Sequence, residues 1–232
     1  MAETLVKIRN LSKIYPTGEG GFLALSDLDL DISTGEFMGI VGPSGSGKTT
    51  LLNIIGTLDE QTGGEIEVLG KQVNTLSAKE SAALRAEMIG FIFQTYNLLP
   101  VYNVYENVEL PLLLLKMSKA KRKELVMQAL AWVGLVDKMK SRPNQLSGGQ
   151  GQRVSIARAM VKTPKLVLAD EPTANLDTEN SLHILDTTKK INKDTGTTFV
   201  FSTHDQKVVK YLNRVITLID GKKAKDDLQT GI

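Results

Sequence analysis

One octapeptide constrains this chain more than any other feature: Gly42-Pro43-Ser44-Gly45-Ser46-Gly47-Lys48-Thr49. It satisfies G-x-x-x-x-G-K-[ST], a pattern that carries meaning only between a strand and a helix. Both flanks comply. Residues 37–41, Phe-Met-Gly-Ile-Val, are short and apolar, as a buried parallel strand is. From Thr50 onward, Leu51, Leu52, Ile54 and Ile55 recur at helical spacing. Glycines let backbone N–H groups turn toward an anion with no Cβ in the way. The helix N-terminus adds its own N–H groups and the positive end of its dipole. Gly42, Ser44, Gly45, Ser46, Gly47 and Thr50 are therefore candidates for surrounding a phosphate chain. Lys48 would reach the β- and γ-phosphates, and the Thr49 hydroxyl would hold Mg2+.

The rest of the composition narrows the class. A length of 232 residues suits one large α/β domain or two small ones. The formal net charge of +2 gives no global basic field, so nucleic acid is not an expected partner. With no cysteine, neither a disulfide framework nor a thiolate metal site is available. Met1-Ala2-Glu3-Thr4 shows no basic segment leading into an apolar run, so no signal peptide is expected. The most apolar stretch, 110–115, contains Pro111 and is far too short to span a bilayer. Work at a membrane would need a partner.

Read in order, 4–9 and 22–32 alternate as half-exposed strands, with Leu28, Leu30 and Ile32 inward and Asp27, Asp29 and Asp31 outward. A flexible Gly18-Glu19-Gly20-Gly21 lies between them. The start of the chain thus predicts an antiparallel sheet beside a parallel nucleotide-binding sheet. Further strands are expected at 65–69, 89–93, 166–169, 198–202 and 214–219. Helices are expected at 77–87, with Ser77 and Glu80 as a capping box, and at 104–115, 119–133, 152–162 and 178–193. The cluster Lys119, Lys121, Arg122, Lys123 reads as a solvated face, and the charged tail after Gly221 reads as loose.

Four features fall at carboxyl ends of expected parallel strands, where such sheets present ligands. They are the glycine loop, Gln94, Asp170-Glu171 and His204. Asp170 suits Mg2+, and Glu171 suits polarising a water for in-line attack. Gln94 suits completing the Mg2+ or water shell. His204 suits a hydrogen bond to the γ-phosphate and orientation of the Glu171–water pair. His183, inside a polar helix, reads as a surface residue. Leu146-Ser147-Gly148-Gly149-Gln150 makes a second serine–glycine helix start. Two readings of it stand: a plain cap, or an anion nest facing a nucleotide held by another copy.

These motifs together resemble the ATP-binding cassette ATPases. The carriers are 42–49, Gln94, 146–150, 166–171, Ala174-Asn175-Leu176-Asp177 and His204, in matching order over essentially the whole chain. The resemblance implies an α/β P-loop NTPase with a RecA-like parallel sheet core. To that core it adds an N-terminal antiparallel β subdomain and an inserted α-helical subdomain. It implies one nucleotide-binding domain over 1–232, with 1–94 and 162–232 as the ATP-binding core and 95–161 as the helical part. ATP and Mg2+ are the implied cofactors. Two copies are implied to sandwich two ATP head to tail, with Ser147, Gly148, Gly149 and Gln150 of one closing on the nucleotide of the other. Tyr15 falls where the family stacks an aromatic ring on adenine. Gly35-Glu36-Phe37, Asn53-Ile54-Ile55-Gly56, Asn97-Leu98-Leu99-Pro100, Glu106-Asn107-Val108 and Gln152-Arg153-Val154 resemble the lipoprotein-releasing and macrolide-export branch. That branch implies a membrane subunit as partner, docked on about 94–115, and a place on the cytoplasmic face of the membrane. Gly151 departs from the Gln or Glu usual there, and Ala174 from a common Gly.

Three functions remain in view: a transport ATPase, a non-transport ATPase of the same superfamily, and an ATP-binding regulatory module. The second lacks its usual second cassette, coiled coil or zinc cysteines. A GTPase reading finds only Asn192-Lys193-Asp194-Thr195, whose fourth position is wrong for guanine recognition.

Overall fold

Alternation at the chain start becomes a long hairpin: β1 (Thr4–Tyr15) pairs antiparallel with β2 (Phe22–Ser33). Leu28, Leu30 and Ile32 are buried and Asp27, Asp29 and Asp31 are exposed, as the period of two dictates. This computed structural model describes residues 3–17 and 21–229, so most of the glycine stretch at 18–21 lies outside the described residues. The chain divides into two compact units, one running to Arg85 and resuming at Thr198, the other spanning 86–197.

In the first unit, β1 also pairs antiparallel with β4 (Gly63–Val68), which pairs with β5 (Lys71–Gln72), giving the order β2-β1-β4-β5. The second sheet of this unit centres on β3 (Phe37–Val41). It lies parallel between β8 (Thr198–Thr203) and β9 (Arg214–Ile219). Phe37, Phe199 and Phe201 are fully buried, with the Phe37 ring centroid 4.9 Å from that of Phe201 and 5.7 Å from that of Phe199. Each such ring contributes roughly 1.5–3 kcal/mol of burial, and together they fix the strand that feeds the glycine loop. α1 (Lys48–Ile55) follows that loop, and α7 (Gln206–Val209) is a single turn after β8.

The charged tail is not loose. Residues Lys222–Leu228 form β10, antiparallel to β9. Arg214 explains it: its Nε and Nη2 donate to both oxygens of Asp226 at 2.8 and 2.9 Å, and its Nη1 donates to Glu36 at 3.0 Å. All seven residues of β10 are exposed, so no hydrophobic alternation announces the strand.

α2 (Ala78–Met88) begins with the expected reciprocal bonds between Ser77 and Glu80. In the second unit, β6 (Ile89–Ile92) and β7 (Leu166–Asp170) run parallel. Around them lie α3 (Val104–Leu113), α4 (Lys119–Trp132), α5 (Gly148–Met160) and α6 (Thr178–Thr195). α5 is the hub, packed on α3, α4, α6 and β6. It starts at Gly148, four residues before the expected boundary, so the second serine–glycine motif is its first turn. Asn103, Ser118 and Asp177 cap α3, α4 and α6 with their side chains, each satisfying a first-turn N–H. Among the described residues, no helix is long and apolar enough to cross a membrane.

Candidate nucleotide-binding and hydrolytic site

The glycine loop lies in the first unit. β3 is buried to Ile40, and the chain then turns through Gly45 and Gly47 at φ 79° and 96°. A Cβ on Gly47 would run into the Ala24 carbonyl and the Leu25 side chain, whereas at Gly45 nothing lies within 4 Å. Gly47 is the N-cap of α1 and no side chain caps that helix. Ser46 Oγ is buried with no protein partner among the described residues. Lys48 is only 7% exposed, and its Nζ donates to the carbonyls of Gly42 and Pro43 at 2.8 and 2.9 Å. A held ammonium, an orphaned hydroxyl and an uncapped helix start fit a phosphate chain, which accepts hydrogen bonds and donates none.

Tyr15, near the end of β1, belongs to a half-buried ionic cluster. Its hydroxyl donates to Asp59 Oδ2 at 2.6 Å. Lys13 donates to Asp59 Oδ1 and to the Glu60 carbonyl, and its Nζ stands 4.7 Å from the centre of the Tyr15 ring. Burial pushes the Asp59 carboxyl upward, but hydrogen bonds from Lys13, Tyr15 and the Glu60 N–H outweigh it and hold the group below the usual carboxylate range. Burial and the Asp59 carboxylate push the Tyr15 phenol up. The ring is thus fixed by an ion pair that the sequence reading does not single out. His204 is exposed just beyond β8.

The second unit holds Gln94, Asp170, Glu171 and the motif at 146–150. Buried β7 delivers a half-buried Asp170 at its end. Glu171 turns at once into left-handed backbone, φ 45°, a conformation a side chain adopts only where its surroundings impose it. Gln94 is exposed, and its carbonyl accepts a bond from Asn175 Nδ2 at 3.1 Å. Ser147 and Gln150 form a reciprocal capping box: Ser147 Oγ accepts from Gln150 N, and Gln150 Oε1 from Ser147 N. Ser147 is therefore the N-cap of α5. A Cβ on Gly149 would collide with Asn180, and one on Gly151 would sit 3.0 Å from the Tyr96 ring. The small residue at 151 makes room for that ring.

The guanine-reading alternative fails on geometry. Asn192 to Thr195 is the last turn of α6, where Asn192 Nδ2 donates to the Thr197 carbonyl and Thr195 Oγ1 to the Ile191 carbonyl, both at 2.7 Å. His183 is exposed and meets Arg153 at 3.0 Å. Sequence reasoning misses Lys13, Asp59, Asn107 and Arg158 as supports and does not weigh Gln152 as one. For Lys13, Asn107, Arg158 and Gln152 the signal is a polar residue on a largely apolar face of its element; Asp59, in the bend after α1, carries none.

Comparison with known proteins agrees with this geometry. The ABC transporter family model matches residues 25–174. The lipoprotein-releasing system ATP-binding protein LolD of Pseudoalteromonas translucida is 43% identical over 96% of this chain and 96% of its own length. The macrolide export ATP-binding/permease protein MacB of Rhodopseudomonas palustris is 44% identical over 98% of this chain, which spans 35% of that protein. Two dimeric structures of the cassette MJ0796, one of them a post-hydrolysis state bound to ADP and Pi, each superpose with a TM-score of 0.89 at 42% identity over 98% of this chain and 100% of theirs. The Methanocaldococcus jannaschii protein of that name is likewise 42% identical. The chain belongs to the ABC transporter family, as an ATP-hydrolysing nucleotide-binding cassette.

Proposed function

We propose that two copies of this chain close head to tail around two ATP and drive a membrane protein of the lipoprotein-releasing or macrolide-export kind, from the cytoplasmic face. The observation that carries the reading is the start of α1: Gly47 left-handed, no side-chain cap, Ser46 Oγ orphaned and Lys48 held over the loop. The 42–50 backbone and hydroxyls surround the phosphates, Lys48 places its charge on the β- and γ-phosphates, and Tyr15 stacks on the base. When bound, Mg2+ supplies charge neutralisation at the phosphates. Thr49, Asp170 and Gln94 would hold it, directly or through water. Few protein ligands suit Mg2+, which keeps waters and substrate oxygens in its shell.

Glu171 takes the proton of the attacking water, and His204 orients the pair by a hydrogen bond. Ser147, Gly148, Gly149 and Gln150 act from the second copy. Residues 95–161 serve as the helical subdomain that presents them and receives the membrane partner. Leu99, Val101 and Tyr102 are 39%, 72% and 38% exposed, on a loop that buried Asn107 fastens through bonds to Leu99 and Tyr102. An apolar segment of the partner fits there.

Glu171→Gln tests the chemistry. It should lower turnover by about 10²–10⁴-fold, the usual value of a general base, while ATP still assembles a dimer resolvable by size-exclusion chromatography. Turnover near wild type would remove Glu171 from this role.

A further inference from the structure

α5 contains a buried amide to which the roles above give no work. Gln152 is 0% exposed. Its Nε2 donates to the Pro172 carbonyl at 2.6 Å and, at longer range, to the Phe93 carbonyl at 3.4 Å. Both partners are pure acceptors, so the nitrogen must face them. Gln152 Oε1 is left buried with no protein partner among the described residues. An arrangement that strands one acceptor is a poor stability device.

Its placement suits another purpose. Phe93 directly precedes Gln94, and Pro172 directly follows Glu171. Glu171 holds a left-handed φ that something must impose. The same helix grips the Gln94 side again, where Arg158 donates to the carbonyls of Tyr96 and Asn97, both at 2.6 Å. Those two residues are also left-handed, at φ 58° and 48°.

We infer that Gln152 is a positioning residue for hydrolysis, one amide tying the segments of Gln94 and Glu171 to the helix that Ser147 caps. A shift of α5 then reaches the Glu171 segment through the bond to Pro172 and the Gln94 segment through the bond to Phe93. The inference rests on the roles proposed above for Gln94 and Glu171.

Three variants test it. Gln152→Leu keeps the volume and removes the donor. It should cut kcat by roughly 10- to 100-fold, the effect of a small misplacement at a reacting group, with ATP affinity by calorimetry within about twofold of wild type, since a loss confined to the transition state leaves ground-state binding alone. Gln152→Glu can donate to Pro172 only as the neutral acid. Its kcat, taken as a ratio to wild type, should therefore rise as pH falls from 8 to 6, since burial beside two carbonyls raises a carboxyl pKa.

Glu171→Gln is the control for the underlying reading. Turnover in that control would overturn both the reading and the inference. A dead control with Gln152→Leu near wild type would overturn the inference alone. So would a Gln152→Glu ratio that stays flat with pH, because the neutral acid, isosteric with the amide and able to donate, would then restore nothing. Should Gln152→Leu fail to fold by circular dichroism, the pH ratio of Gln152→Glu decides.

Discussion

Two helices of this chain begin with serine and glycine, and they begin in opposite ways. At α1 the cap residue is Gly47 at φ 96°, no side chain caps the turn, and the neighbouring Ser46 hydroxyl is orphaned. At α5 the cap residue is Ser147 in extended backbone, and Ser147 and Gln150 satisfy each other's backbone N–H groups. The first helix start has no side-chain cap of its own, which suits a group from outside the chain. The second is complete in itself and can fold with no ligand. On the proposed function, similar composition would support two jobs: one start would bind a phosphate outright, and the other would present Gly148 and Gly149 to a second copy while staying capped.

The sharpest way to separate the two is to remove the charge that serves only one. Lys48→Ala should weaken ATP binding by about 10- to 100-fold, the value of a charge-assisted hydrogen bond or two, and should abolish turnover. Isothermal calorimetry on the monomer reads it. Unchanged affinity would put the two helix starts on an equal footing. Ser147→Arg makes the opposite cut: ATP binding by the monomer should be spared while hydrolysis falls steeply. Loss of monomer binding would mean that 147–150 serves its own nucleotide. Ser147→Ala is milder. It should cost about 1 kcal/mol of stability in urea, as loss of an N-cap does, with or without nucleotide. A cost that vanished with ATP present would show the α5 cap to be ligand-dependent after all.

This contrast also marks how far residues alone carry the reading. The loop at 42–49 is legible because its flanks repeat the strand and helix periods that its chemistry needs. The β1–β2 alternation is legible for the same reason. Strand β10 is not, because a fully exposed strand held by one arginine on Asp226 has no hydrophobic period to read. Gly151 is visible only as a departure until the Tyr96 ring is seen against it. Lys13 and Asp59 are invisible as a pair because 46 residues separate them in sequence, although their contact fixes the ring at Tyr15. Gln152 is read as part of a branch motif, and nothing local says that its amide faces Pro172. Long-range hydrogen bonds leave no periodic trace.

The smallest predicted effect concerns the far end of the self-sufficient helix. Lys162 lies just past the last turn of α5, and burial lowers its pKa to about 8. Folding therefore disfavours its charged form. Below about pH 8 the side chain is protonated in folded and unfolded chains alike, and the penalty is present in full. Between about 8 and the unfolded value near 10.5 the unfolded chain binds more protons, so this group makes stability rise with pH. Lys162→Met should remove that slope. The difference in unfolding free energy between the two proteins should shrink on going from pH 7 to pH 10.5, by an amount on the order of 1 kcal/mol. Curves that stay parallel over that range would show that Lys162 keeps its charge in the fold. The α5 end would then be as well matched to a cation as its start is to its own serine.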